Sequence, residues 1–290
     1  MAGKRLLLLL TVLLILLTGC SREESAGPCQ LDRGIAILTQ SVPDLGTLDG
    51  CQTYARILSR RYGPTILVGE DVQQVTPWDY DLESETDPQA IAGELKLLDR
   101  HLSVYPEDLL KDVSKKIGGL HLSLVRGIHG KAGLGGLQDA AGLQYEEEGR
   151  LYIALAEGQT SGHTVYHELF HIMETVVLKE TDVYNRWELL NPPQFTYDYD
   201  YLQNQHRDGS EYLEKDTRAF IDAYAMSFPT EDRARLMEYA MTPGNRWLFE
   251  SLIMQKKLSV LSRGIRETFH LQAPEGSLIW EQYLYPEFYP

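Results

Sequence analysis

Residues His167-Glu168-Leu169-Phe170-His171 set two imidazoles four positions apart with a carboxylate beside the first. On a helix, positions four apart share one face, so both imidazoles can reach one ion. Neutral imidazole suits Zn²⁺, and ligands at this spacing fit a tetrahedral site without straining the backbone. With 8 histidines in 290 residues, chance yields such a pattern only about 0.02 times, so the spacing carries information. The flanks Thr164-Val165-Tyr166 and Ile172-Met173 are uncharged, as befits a ligand helix running through a core. Without a metal, the same residues would make a buried helix with two hydrogen-bonded histidines.

Two histidines do not complete a catalytic zinc site, which takes three protein ligands and keeps one position for water. A third histidine in the same motif would require Gly at 174 and His at 177. The chain has Glu174 and Val177, so the third ligand must lie farther along. His206, His270 and Glu231 are the candidates. Glu231 also has a plainer reading: Thr230 caps a helix, and Glu231 with Asp232 favours its positive end. Glu174, three residues after His171, can orient that imidazole or remain an ordinary helix carboxylate. Asp222 has the same two readings. The acidic group Asp198, Asp200, Asp208 and Glu211 lacks the spacing of a calcium loop.

The segment Tyr224-Ala225-Met226-Ser227-Phe228-Pro229-Thr230-Glu231-Asp232-Arg233-Ala234, together with the two-histidine helix, resembles the metal-binding segments of the anthrax lethal factor-like zinc peptidases. That group includes the Pro-Pro endopeptidases. The resemblance is confined to these two stretches, and the family's proline preference is not carried over. It implies that Glu231 is the third zinc ligand, with Ala234 at the small-residue position. It also implies that Tyr224, seven residues upstream, directs its hydroxyl at the reacting carbonyl. Glu168 is then the general base acting on a water molecule.

The amino terminus places this chemistry outside the cytoplasm. Lys4 and Arg5 precede an apolar run from Leu6 to Leu17, too short for an ordinary membrane span and suited to an export signal. Leu17-Thr18-Gly19-Cys20 resembles the bacterial lipoprotein lipobox, which implies cleavage before Cys20 and lipid on its thiol. The expected organisation is a signal peptide over 1–19, a lipidated tether over 20–33, and a domain over 34–290 with a cleft between its 34–160 and 161–290 parts. Losing residues 1–19 removes two positive charges and no acid, moving the net charge from −15 to −17. So acidic a body repels nucleic acid and anionic headgroups, leaving the lipid to hold it on the cell membrane or outer membrane. Export permits a disulfide between Cys29 and Cys51.

Elements that could position the site follow from periodicity. Short buried strands are expected over 35–38, 65–68 and 151–155, and an alternating one over 120–128. Helices are expected over 51–62, 88–102, 107–117 and 162–178, then 216–226, 230–241 and 246–269. Thr160 or Ser161 can cap the motif helix. Strand 151–155, just ahead of it, would offer a sheet edge to an extended substrate. Gly-rich 130–142 is a loop without a phosphate-binding ending. The expected fold is α+β and zincin-like, with a small mixed sheet and a largely helical C-terminal half. The expected function is zinc-dependent hydrolysis of peptide or protein substrates at a membrane, with no nucleic-acid partner. The rival reading is a non-catalytic zinc- or peptide-binding lipoprotein on the same fold.

Overall fold

The computed structural model describes residues 43–72, 80–130, 139–199 and 209–290. The fold is α+β. Thr47 starts α1 (Leu48–Tyr62) by accepting from Gly50 N at 3.1 Å, and Gly63 ends it at φ 103. Asp87 caps α2 (Pro88–Leu102), whose first position is the proline that such a start favours. Its buried stripe of Ile91, Leu95, Leu98 and Leu102 follows helical spacing. Helix α3 (Leu109–Lys116) begins later than the expected 107 because Asp108 takes a left-handed backbone, φ 67.

Five strands form one sheet: β1 (Thr65–Leu67), β2 (Tyr80–Ser84), β3 (Leu120–Gly130), β4 (Gly142–Glu147) and β5 (Arg150–Ala156). The order is β1-β3-β5-β4, with β2 paired to β3. The β1, β3 and β5 strands are parallel, whereas β2 runs antiparallel to β3 and β4 antiparallel to β5. Strand β5 is therefore interior, and the sheet edge beside the motif helix is β4. Glu148 and Gly149 close the β4–β5 hairpin at φ 50 and φ 74, the two positive values a type I′ turn requires.

One sheet face, with Leu120, Leu122, Leu124, Ile153 and Leu155, joins the main core. There it meets Val165, Leu169, Phe170, Ile172, Met173, Val176 and Val177 of α4 (Gly162–Glu180). Ser161 holds the cap position of α4, but its hydroxyl meets Thr164 Oγ1 at 3.4 Å and not a helix N–H. The C-terminal half continues with α5 (Pro229–Met241) and α6 (Leu252–Thr268).

Two expected helices are corrected. Over 216–226 only the 3₁₀ turn Tyr224–Met226 forms, because side chains occupy the carbonyls a helix would use. Arg218 Nη1 donates to Phe220 O and Ile221 O at 3.3 and 3.2 Å. Lys257 Nζ donates to Ala219 O at 2.7 Å, and Ser251 Oγ to Arg218 O at 2.5 Å. The expected 246–269 helix is broken at Ser251, whose extended backbone separates the 3₁₀ turn Arg246–Phe249 from α6. Cys51 is a buried free thiol, 3.4 Å from Pro88 O. Residues 1–42, with the signal, Cys20, Cys29 and the 35–38 strand, lie outside the described residues, as do Asp200, His206 and Asp208.

Candidate metal centre

Helices α4 and α5 bring three ligand atoms together. His167 Nε2 stands 3.1 Å from His171 Nε2. Glu231 Oε2 is 3.2 Å from the first and 3.6 Å from the second. In a tetrahedral zinc site with bonds of about 2.0–2.1 Å, neighbouring ligands stand roughly 3.4 Å apart, close to all three separations. Among the described residues the metal-competent group is these three, with no fourth His, Cys, Asp or Glu. The donor set, two imidazoles and one carboxylate, is one zinc accepts.

Glu231 sits in the first turn of α5, but the residue at the cap position is Phe228, not Thr230. Pro229 opens the helix, as a first-position proline can. The next residue, Asp232, is pinned from three sides. Its Oδ2 accepts from Trp187 Nε1 at 2.8 Å, Tyr197 Oη at 2.6 Å and Lys257 Nζ at 2.7 Å. That buried anchor fixes where α5 begins, and so where Glu231 points.

Behind the ligands runs a second layer, in which Glu174 and Asp222 are accompanied by three residues no motif pointed to, Glu238, Arg235 and His163. Glu238, two turns after Glu231, accepts at Oε2 from His167 Nδ1 (3.1 Å) and at Oε1 from His163 Nδ1 (2.9 Å). Arg235 Nη1 donates to both Glu238 oxygens at 2.7 and 2.6 Å, and Arg235 Nε donates to Asp222 Oδ2 at 3.0 Å. Asp222 thus acts through Arg235 and Glu238. Glu174 forms a buried ion pair with Arg233 across the two helices, and its Oε2 lies 4.0 Å from His171 Nδ1. The signal in sequence was the i, i+7 spacing of Glu231 and Glu238, which puts both on one face of α5.

The electrostatics call for a shared cation. Glu238 fixes a proton on His167 Nδ1, which turns the Nε2 lone pair toward Glu231, itself an acceptor. Burial opposes charge on His167, yet hydrogen bonds to Glu231 and Glu238 push its pKa up to about 10. Burial would raise Glu231, but the two imidazoles hold it well below the usual carboxylate range. Burial likewise opposes charge on Glu238, and His163, His167 and Arg235 bring it down to about 2. Such a site holds a proton where a metal can replace it. Burial pushes Glu168 up, with His167 and His171 pulling the other way.

Tyr224 is 40% exposed, and its ring centroid lies 6.4 Å from that of His167, so it borders the centre. His270 is exposed at φ 50 beyond the end of α6 and outside the metal-competent group.

No protein-family model and no curated protein matches the chain. Among solved structures, the chain is similar to one described as a putative zinc-binding metallo-peptidase from Bacteroides caccae. That likeness has 15% identity and a TM-score of 0.50, and covers 79% of this chain and 89% of the other. At that identity the likeness concerns the fold alone, an α+β fold similar to that of the other chain.

Proposed function

We propose that this chain is a zinc-dependent peptidase, with His167, His171 and Glu231 as the residues that hold the ion. The observation that carries this reading is the convergence of their three ligand atoms beside Glu168, a buried carboxylate outside the ligand set. Bound zinc supplies a Lewis acid that polarises a peptide carbonyl and lowers the pKa of water toward neutrality. Glu168 takes the proton of the attacking water and delivers it to the leaving amine, a role its burial-raised pKa suits. Tyr224, at the border of the centre, donates its hydroxyl to the developing oxyanion. The edge strand β4, which lies against α4 and pairs on one side among the described residues, offers its other side to an extended substrate. The same resemblance that selects Glu231 supports kinship with the lethal factor-like group.

We further propose that Cys20 carries lipid and holds the protein, facing outward, on a membrane. No helix among the described residues is long and apolar enough to cross one. Metabolic labelling with a palmitate analogue tests this, since Cys20→Ala should abolish the label. For the activity, digestion of a peptide pool by zinc-loaded protein should give cleavage that a chelator removes and zinc restores. Zinc bound without any cleavage would leave only a binding role.

A further inference from the structure

Glu174, Glu231 and Glu238 are each held by charged or hydrogen-bonding side chains. Glu168 is different: no hydrogen bond or ion pair among the described residues holds its carboxylate. A long buried side chain without a polar anchor is positioned by the walls around it. One wall is Gly142, the first residue of β4. A Cβ placed there would stand 2.9 Å from Glu168 Cγ, 3.0 Å from Glu168 Oε1 and 2.7 Å from Thr164 Cγ2. Carbon contacts are comfortable at about 3.5–4.0 Å, so no methyl fits.

Backbone freedom does not account for this glycine. Gly142 is not among the glycines with positive φ, and it sits in register opposite Leu155 in the antiparallel ladder. Nor can the strand back away, because Ala156 N donates to Ala141 O at 3.0 Å immediately before it. We infer that Gly142 is the positioning residue for Glu168: its bare Cα lets the edge strand lie against the side chain and hold the carboxylate beside His167 and His171. The catalytic half of this inference rests on the peptidase reading, whereas the contact itself does not.

A stability cycle tests the contact without any assay of hydrolysis. It is run on zinc-loaded full-length protein carrying Thr164→Ser, which deletes the Cγ2 contact and leaves Glu168 as the obstacle. Gly142→Ala should lower Tm markedly when Glu168 is present and much less when Glu168→Ala has removed its Cγ and Oε1. Equal losses in the two backgrounds would overturn the inference. If Gly142→Ala alone does not fold, recovery on adding Glu168→Ala supports it, and no recovery counts against it. In the activity arm, Gly142→Ala should keep its zinc and its KM while kcat falls roughly 10–100-fold, the scale of a misplaced catalytic group. Wild-type kcat in that variant would also overturn the inference. A wild-type protein that cleaves nothing would instead sink the peptidase reading, and the stability cycle would still decide the contact.

Discussion

Glu238 Oε2 lies 3.1 Å from His167 Nδ1, on the opposite ring nitrogen from Glu231. One imidazole therefore bridges two acidic residues of the same helix, with Arg235 clamping the outer one. This fixes both the tautomer and the tilt of His167. Removing an outer partner of a ligating histidine typically costs about 10–100-fold in metal affinity. Glu238→Ala should weaken zinc binding on that scale, and Glu238→Gln, which keeps an acceptor, should lose less. Competition with a chromophoric chelator reads both. Unchanged affinity in Glu238→Ala would remove its orienting role.

Glu168→Gln keeps the shape of the side chain and removes its basicity. Zinc content should stay near the wild-type level while peptide cleavage falls about 10²–10⁴-fold. A metal-loaded Glu168→Gln sample with wild-type turnover would refute the assignment of the base.

Glu231→Ala and Tyr224→Phe separate binding from turnover. Losing Glu231 should release zinc with the fold largely intact. A mere first-turn carboxylate would keep the metal and cost about 0.3–1 kcal/mol of stability. Tyr224→Phe should bind zinc normally and lose most turnover. Metal analysis and initial rates on the same preparations distinguish the cases.

Away from the centre, Glu85 gives a pH signature. Hydrogen bonding from Arg126, against the opposing effect of burial, lowers its pKa from 4.5 to about 2. The unfolded chain then binds the proton more readily than the folded one. Glu85 therefore contributes stability that is fully present above pH 4.5 and is lost as pH falls toward 2. Urea midpoints measured across that window should fall less steeply for Glu85→Gln. Parallel slopes for the two proteins would contradict the assignment.

Much of this was legible in the sequence where one physical signal dominated. The apolar stripe of α2 and its Asp87-Pro88 start set both of that helix's ends, and the spacing of His167 and His171 set their shared face. Strand β2 was not legible, since Leu82 is its lone strongly apolar residue and its partner β3 is far away in sequence. Strand β4 hid behind an acidic run and a turn made by Glu148, a residue that seldom takes positive φ. The 216–226 stretch has helical composition, but distant Ser251 and Lys257 claim its carbonyls. The i, i+7 spacing puts Glu238 on the face of Glu231, but that this face meets His163 and His167 depends on how α4 and α5 pack, which no local pattern encodes.

All three proposed ligands precede residue 232, yet the cation that supports the third one comes later. Asp232, next to Glu231, is buried against Lys257 of α6, 25 residues farther along. A ribosome delivers the ligands before it delivers their support. Until α6 is made and docked, the buried carboxylate beside Glu231 has only the neutral donors Trp187 and Tyr197 and lacks its counter-ion. A nascent chain or a fragment ending after α5 would thus carry all three side chains while Asp232 still lacks its cation. Docking of α6 thereby becomes the step that neutralises the carboxylate next to Glu231, so the candidate metal centre takes its final form late in folding.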